Sequence, residues 1–176
     1  MARSRPARVA VIGLLQRVTQ ATVAVDDAVV GSIGAGLLVL LGVQRSDTER
    51  EADRLLERIV TYRIFDDAAG RMNRSLVDVG GALLVVPQFT LAAETRNGTR
   101  PGFSSAAAPP DGERLYEYFV VAARARGGQV ATGRFGARME VSLTNDGPVT
   151  FWLEVAPDIR SPAAAADGVR VRPAAI

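Results

Sequence analysis

The chain has 176 residues, of which 48% are hydrophobic, and its formal net charge is +2. This length and composition are typical of one globular domain and not of a disordered chain. Cysteine, histidine and lysine are all absent, and every one of the 21 basic residues is an arginine. Disulfides, a Ser-His-Asp triad, Schiff-base chemistry, and metal sites with cysteine or histidine ligands are therefore excluded.

Membrane insertion and export find no support in the sequence. No apolar run approaches the roughly 18 residues that a membrane-spanning helix needs. The first six residues are basic, but they lead into a strand-like segment and not into a cleavage site with small residues. We therefore expect a cytoplasmic protein.

The first half of the chain predicts strands joined by tight turns, and then a helix. The turn Asp26-Asp27 separates two segments that we expect to pair as a hairpin. The last of the strands is apolar throughout, which predicts burial on both faces. The helix is expected to begin at Ser46 or Asp47 and to end near Tyr62. The predicted strands cover residues 8–18, 21–25, 29–33 and 37–43.

The second half predicts one more helix, over residues 111–127, and further strands. A long polar loop over residues 92–109 precedes that helix. With few helices and many tightly connected strands, the sequence predicts a single α+β domain, with a largely antiparallel, barrel-like sheet and two main helices. The domain is expected to cover residues 8–155, between an N-terminal extension (1–7) and a flexible tail (156–176). The predicted strands cover residues 82–86, 130–132, 139–143 and 149–155.

A first candidate site follows the strand over residues 82–86. Pro87 cannot donate a hydrogen bond, so strand pairing is expected to stop there. The backbone N–H groups of Gln88, Phe89 and Thr90 would then be free to stabilise a developing oxyanion. An ordinary strand end with surface Gln and Thr side chains fits the same residues.

A second candidate site is the segment that contains Phe135 and Met139. These two side chains could form an apolar slot for a planar ring, and the neighbouring arginines are suited to phosphate groups. Core packing accounts for one Phe and one Met equally well. Arg96 and Arg100 flank an Asn-Gly pair, which is typical of a basic loop or of a solvated surface.

A third candidate is the turn signal at residues 145–148, which leads directly into a strand. Pro148 removes a backbone donor where a sheet ladder should begin, and an X-Pro bond is the only kind that adopts cis at modest cost. The residues fit a hairpin corner, and they also fit a rigid corner that directs carbonyl oxygens towards a ligand.

In order and content, these segments resemble the D-aminoacyl-tRNA deacylases, also called D-tyrosyl-tRNA deacylases. The resemblance covers roughly residues 8–155, and its most specific parts are the strand-end motif and the Asn-x-Gly-Pro-Val-Thr motif. The matching segments are Leu15-Gln16-Arg17-Val18, residues 34–43, Tyr62-Arg63-Ile64-Phe65, Gln88-Phe89-Thr90-Leu91, Arg100-Pro101, residues 133–137 and residues 145–150.

The resemblance implies a homodimer with active sites at the subunit interface. Gly147 and Pro148 would be joined by a cis bond, and their carbonyl oxygens would enter the partner's pocket to bind the substrate α-ammonium group. The same corner, with Val149 beside it, would exclude an L side chain by collision. Arg17 resembles the family arginine that supports this corner.

The resemblance also implies how the ester of an aminoacylated tRNA 3′ end is cleaved. Gln88, Phe89 and Thr90 would be the catalytic residues around the ester, and Phe135 and Met139 would bind the terminal adenine. No metal or other cofactor is implied. Because no base is available to activate Thr90, we expect the 2′-hydroxyl of the terminal adenosine to help activate water.

One position departs from the family pattern, since Pro87 stands where the strand-end motif usually begins with Ser. A Pro-Gln opening is more similar to a related branch that acts on tRNA mischarged with small L residues. Phe89 and the Gly147-Pro148 motif favour the D-specific branch, for which glycyl-tRNA is a plausible second substrate. A tRNA-end binding module without turnover is the remaining alternative, ahead of a purely structural barrel.

Overall fold

The computed structural model describes residues 10–156 and the backbone of residues 169–173. Within these ranges the chain forms strands, α-helices and one 3-10 turn. In chain order they are β1 (Val11–Val25), β2 (Ala28–Ile33), β3 (Gly36–Gly42), α1 (Glu49–Thr61), β4 (Phe65–Asp66), β5 (Met72–Arg74), α2 (Leu76–Val79), β6 (Ala82–Pro87), the 3-10 turn (Phe89–Ala92), α3 (Pro109–Ala125), β7 (Val130–Thr132), β8 (Glu140–Val155) and β9 (Val169–Pro173).

The main sheet is mixed, so the prediction of a largely antiparallel sheet was wrong in this respect. Its strand order is β7-β6-β3-β1-β8-β9, with β2 paired to the second half of β1. The pairs β3–β6 and β6–β7 are parallel, and the other pairs are antiparallel. The parallel pairs arise because α1 and α3 lie in crossover connections, which return the chain in the same direction.

The sheet curves until its ends nearly meet, as the barrel prediction required. Gly31 in β2 lies so close to β7 that an added Cβ would be 2.4 Å from the Thr132 carbonyl oxygen. Side chains such as Val23, Leu38 and Leu84 fill the inside of this barrel. The other face of β3 and β6 packs against α1 and α3, so these two strands are buried on both faces, as predicted for β3.

Several local predictions were confirmed and others need correction. Asp26 and Asp27 both have positive φ angles, 49° and 62°, as a two-residue hairpin turn between β1 and β2 requires. The two strands predicted over residues 8–25 form one strand, and those predicted over residues 139–155 also form one. Both predicted helices are present, and the short helix α2 and the β4–β5 hairpin were not predicted.

The predicted ends of the domain lie mostly outside the described residues. The extension over residues 1–7 falls there, as do residues 157–168 and 174–176 of the predicted tail. Residues 169–173, however, form β9, which pairs antiparallel with β8. The expectation of flexibility therefore does not extend to this segment. No helix in the described part of the chain is long and apolar enough to cross a membrane.

Helix α1 is capped by Thr48, not by Ser46 or Asp47 as predicted. The Thr48 N–H donates to the Glu51 carboxylate at 3.0 Å, which forms one half of a capping box. Asp47 instead accepts a hydrogen bond from the Gln44 N–H at 2.6 Å. Its Oδ1 atom is buried without a hydrogen-bond partner among the described residues, and this burial raises the pKa of Asp47 to about 7.

The raised pKa of Asp47 predicts that stability depends on pH. Between the ordinary pKa of 3.8 and about 7, the folded chain keeps a proton that the unfolded chain loses. The free energy of unfolding should therefore fall as pH rises through this window. In Asp47→Asn the amide oxygen can still accept from Gln44, so the variant should lose this slope and exceed the wild type in stability at pH 8. Urea unfolding from pH 5 to 8 measures both curves, and parallel curves would contradict the assignment.

Candidate active site

A cavity of about 450 Å³ opens where β3 and β6 end, beside the first turns of α3. Because these two strands are parallel and adjacent, their carboxyl ends meet at one edge of the sheet, and the chain segments that follow them enclose the space. Its lining is mostly apolar with a few polar groups, which is typical of a ligand site. The lining includes Leu41, Pro87, Gln88, Tyr116, Phe135 and Met139.

The strand-end motif forms a 3-10 turn at the mouth of this cavity. β6 ends at Pro87, one residue beyond its predicted end, and the Gln88 N–H donates to the Leu41 carbonyl oxygen at 2.8 Å and is therefore not free. The first hydrogen bond of the turn runs from the Leu91 N–H to the Gln88 carbonyl oxygen. The N–H groups of Phe89 and Thr90 come before this first hydrogen bond. They therefore have no partner within the turn, like the first donors of any helix.

The side chains of this motif differ in their surroundings. The Gln88 amide donates to the Thr90 hydroxyl oxygen at 2.5 Å. An amide has no basic site that could deprotonate a hydroxyl, so this contact orients Thr90 without activating it. The Phe89 ring lies largely in solvent, with 57% of the residue exposed.

Phe135 and Met139 both line the cavity, on the segment between β7 and β8. The Phe135 ring lies 6.1 Å from the Tyr116 ring and packs beside Gly112, where an added Cβ would be 3.4 Å from it, an ordinary contact distance. At Gly133 an added Cβ would be only 2.7 Å from the Met139 sulfur, so the position of the Met139 side chain depends on this glycine.

Tyr116 was not predicted as a site residue. Its hydroxyl donates to the Val85 carbonyl oxygen at 3.0 Å, and burial raises its pKa to about 12. The hydroxyl is therefore protonated at neutral pH and cannot serve as a general base. The sequence carries no signal for this role, since Tyr116 lies among the buried residues of α3, beside Leu115 and Phe119, and fits core packing equally well.

The Gly147-Pro148 corner is a bulge in β8. Thr150 pairs with Gln16 and Asn145 pairs with Val18, so residues 146–149 leave the ladder opposite Arg17. The bond between Gly147 and Pro148 is cis, as the resemblance implies, and Gly147 has a φ of +128°. Both residues are exposed to solvent.

The Asn145 side chain holds this bulge in place by hydrogen bonds to the residues that follow it. The side-chain Oδ1 of Asn145 accepts from the Val149 N–H at 2.7 Å, and the side-chain Nδ2 donates to the Thr150 hydroxyl oxygen at 3.1 Å. Val149 itself is buried. Sequence reasoning assigned no role to Asn145, although an Asn within a turn signal is typical of such local bonds.

Arg17 contacts the corner from β1 and is almost fully buried. Its Nε donates to the Asp146 carbonyl oxygen at 3.2 Å and pairs with the Asp146 carboxylate at 3.0 Å. Its Nη1 donates to the Ile64 carbonyl oxygen at 2.7 Å and lies 3.4 Å from the Asp66 carboxylate. One guanidinium thereby links the corner to the chain segment that follows α1.

Within one chain the corner and the cavity are separate. In the register of the sheet, Pro87 on β6 pairs with Leu41 on β3, and Leu41 pairs with Gly13 on β1. The corner instead lies opposite Arg17 of β1. Four residues of β1 correspond to about 13 Å along a strand, and β1 and β3 lie between β8 and β6. The structure thus brings Gln88, Phe89, Phe135 and Met139 to one place, with Thr90 next to them in the same turn, and Arg17, Gly147, Pro148 and Val149 to another.

Arg96 is not a free phosphate-binding group, because its guanidinium pairs with the Glu94 carboxylate in the same loop. This pairing lowers the pKa of Glu94 to about 2. The ends of the loop are further joined by two backbone hydrogen bonds between Glu94 and Gly102, at 2.7 and 3.0 Å. The basic loop expected around Arg96 and Arg100 is therefore partly neutralised.

Comparison with known proteins gives concordant matches. The family model described as D-Tyr-tRNA(Tyr) deacylase matches residues 14–154. A D-aminoacyl-tRNA deacylase of Janthinobacterium sp. (strain Marseille) is 62% identical over 146 residues, which cover 83% of this chain and 98% of that protein. Another, from Nitrosococcus oceani, is 57% identical over 150 residues, covering 85% of this chain and 97% of that protein.

Two solved structures share the fold. One, described as "c-Myc DNA Unwinding Element Binding Protein", is 36% identical with a TM-score of 0.79, covering 83% of this chain and 99% of its own. The other, from a structural analysis of "a probable eukaryotic D-amino acid tRNA deacylase", is 19% identical with a TM-score of 0.74. It covers 83% of this chain and all of its own, and at that identity it shows the fold alone.

Proposed function

Because the chain belongs to the D-Tyr-tRNA(Tyr) deacylase family, and is thus a hydrolase of the ester in D-aminoacyl-tRNA, we propose that its active site is completed by a second copy of the chain. The cavity of one copy receives the Gly147-Pro148 corner of the other, and the reverse contact forms the second site. A homodimer with two-fold symmetry permits this exchange, since each surface meets the other twice.

The observation that carries this proposal is the position of the corner. Gly147 and Pro148 are exposed, held from behind by Arg17 and Asn145, and distant from the cavity of their own chain. An exposed, braced group that does not reach the cavity of its own chain is suited to enter another molecule.

In the completed site the terminal adenine lies against Phe135 and Met139, since a planar base packs well on an aromatic ring and a thioether. The ester carbonyl oxygen faces the N–H groups of Phe89 and Thr90, which stabilise the negative charge that develops on it. The carbonyl oxygens of Gly147 and Pro148 accept hydrogen bonds from the substrate α-ammonium group.

Selection between enantiomers follows from the same corner. An L side chain would point into the space that the corner occupies, so the L ester is rejected by collision. Glycine has no side chain to collide, so glycyl-tRNA is expected as a second substrate. Pro87 suggested an alternative substrate, tRNA mischarged with a small L residue. The side chain of that residue would meet the same collision with the corner.

The nucleophile is a water molecule, which the 2′-hydroxyl of the terminal adenosine helps to activate. The chain has no His, Lys or Cys, and Tyr116 is held protonated. Water adds to the ester carbonyl carbon, the bond to the ribose 3′-oxygen breaks, and that oxygen receives the proton. The protein contributes position and oxyanion stabilisation.

This assignment predicts that Thr90→Ala retains most of its activity. Among residues 10–156, the polar side chain that contacts the Thr90 hydroxyl is the Gln88 amide, which is not a base. We expect kcat for D-Tyr-tRNA to fall by less than about ten-fold, against the several-thousand-fold loss typical of a deleted nucleophile. Single-turnover deacylation measures the chemical step, and a loss of the larger size would make Thr90 the nucleophile.

The dimeric site is tested by mixing two inactive variants. Gly112→Leu should block the cavity, because its side chain would occupy the space beside Phe135, and Gly147→Ala should displace the corner. After the two are unfolded and refolded together, half of the dimers contain one of each, and one site in each such dimer is intact. About a quarter of the wild-type rate should return. If each cavity used its own corner, no activity would return.

Substrate class is tested by deacylation of D-Tyr-tRNA and L-Tyr-tRNA side by side, with a chelator present. Loss of only the D ester is expected, and it would also rule out a required metal ion. If both esters persist while tRNA still binds, the chain is a binding module, and cleavage of only L-alanyl-tRNA would favour the related branch.

A further inference from the structure

A second hollow, of about 580 Å³, adjoins the active-site cavity and shares Phe89, Ala107 and Pro109 with it. Its distinctive groups are two aromatic rings, Phe89 and Phe103, and two charged side chains, Arg45 and Asp111. The rest of its wall consists of alanines and Pro109. We call it the aromatic hollow. None of the steps described above uses Phe103, Arg45 or Asp111.

The two rings form a partly exposed aromatic surface. Their centroids are 5.1 Å apart at an interplanar angle of 55°, so the rings pack on each other and leave no gap for a planar group between them. Phe89 is nevertheless 57% exposed and Phe103 is 39% exposed, so both residues offer aromatic surface to solvent. Exposed aromatic surface is suited to stack on a nucleic-acid base.

The segment that carries Phe103 is fixed in position. The Arg45 N–H donates to the Ser105 carbonyl oxygen, and the Ala107 N–H donates to the Val43 carbonyl oxygen, both at 3.1 Å. The Ser105 hydroxyl donates to the Ala92 carbonyl oxygen at 2.5 Å. These bonds connect the segment to the end of β3 and to the 3-10 turn, so the aromatic surface is held ready beside the cavity.

The charged groups at the hollow are available to a ligand. Neither Arg45 nor Asp111 forms an ion pair within residues 10–156, and both are exposed. A guanidinium binds phosphate by paired hydrogen bonds, and a carboxylate accepts from an exocyclic amino group. A phosphate, a base and an amino group together describe a nucleotide.

We propose that the aromatic hollow binds the nucleotide that precedes the terminal adenosine in the substrate tRNA. This proposal rests on the proposed function, in which that adenosine occupies the adjoining cavity. The base stacks on the exposed aromatic surface, Arg45 contacts the phosphate that links the two nucleotides, and Asp111 accepts from the base. In every tRNA this nucleotide is a cytidine, whose N4 amino group is a donor.

The test compares two stable probes, in which an amide replaces the ester. One is 3′-(D-tyrosylamino)-3′-deoxyadenosine, and the other is the same molecule extended at its 5′ end by a cytidylyl group. The full-length wild type should bind the extended probe roughly ten-fold more tightly, the size expected for one stacked base. In Phe103→Ala and in Arg45→Ala this affinity ratio should fall towards one. Arg124→Ala, at the far end of α3, should keep the wild-type ratio and serves as the matched control.

The outcomes separate the hollow from the active site. A wild-type ratio near one, with the adenosine probe still bound, overturns the subsite and leaves the proposed function intact. If neither probe binds and D-Tyr-tRNA is not cleaved, the subsite and the proposed function both fail. Because the adenosine probe also reports a folded cavity, a variant that merely unfolds loses both affinities and is recognised as such.

A third probe, with uridine in place of cytidine, tests the role of Asp111. Uracil presents an oxygen acceptor where cytosine presents its amino group, so the carboxylate should disfavour it. The wild type should prefer the cytidine probe several-fold. Asp111→Asn should lose this preference, because an amide both donates and accepts. Equal affinities in the wild type would remove Asp111 from the subsite.

Discussion

Replacement of Gly147 by alanine is expected to lower kcat/KM for D-Tyr-tRNA by at least about 100-fold. At this position φ is +128°, which L residues rarely adopt, and an added Cβ would be 2.6 Å from a Val149 methyl group and 3.3 Å from the Arg17 guanidinium. Val149 and Arg17 are both buried and cannot retreat, so the corner itself must move. A displacement of about 1 Å at a group that positions substrate is enough for a loss of this size.

The matched control for Gly147→Ala is Gly128→Ala. Gly128 also has a positive φ, +91°, but an added Cβ there meets no atom within 4 Å. Both variants should lose stability by about 2 kcal/mol from backbone strain, whereas only the first should lose activity. Urea unfolding and single-turnover deacylation measure the two effects. A Gly147→Ala enzyme that works within a few-fold of the wild type would show that the corner does not position the substrate.

Replacement of Arg17 by alanine should reduce both stability and activity. The change leaves the buried Ile64 carbonyl oxygen without its donor and removes both carboxylate pairs. We expect a loss of about 2–4 kcal/mol in the free energy of unfolding, which corresponds to a Tm lower by about 10 °C. This figure is below that for a fully buried ion pair, because the carboxylates of Asp66 and Asp146 are half exposed.

Arg71→Ala is the matched control, since Arg71 also pairs with an aspartate but is mostly exposed. Its loss should cost less than about 1 kcal/mol. Deacylation by Arg17→Ala is best measured well below its Tm, where the remaining defect reports the position of the corner. If that variant melts like the wild type, the guanidinium is not the brace that its contacts indicate.

The parts of the fold that the sequence predicted best are those that local chemistry determines. The Asp26-Asp27 turn was predictable because aspartate tolerates the left-handed region that a two-residue hairpin needs. The burial of β3 on both faces followed from its continuous apolar run. In each case the residues within a short window are sufficient to favour one structure.

Strand partners were the main error, because local pattern carries no information about which strand lies alongside. The parallel pairing of β3 with β6 was missed for this reason. The same error affected the site. The Gln88 N–H was expected to be free, but it donates to the carbonyl oxygen of Leu41 on the neighbouring strand β3. Likewise, Gly147 and Pro148 indicated a break between two strands, whereas β1 is long enough to pair with β8 on both sides of the bulge.

The separation of corner and cavity within one chain has a consequence for dosage. On the proposed arrangement a lone copy holds two half-sites and no whole one, so mass action governs the amount of working enzyme. Below the dissociation constant of the dimer, the rate would rise with the square of protein concentration. A cell that halves its supply of the chain in that range would keep only about a quarter of its proofreading capacity.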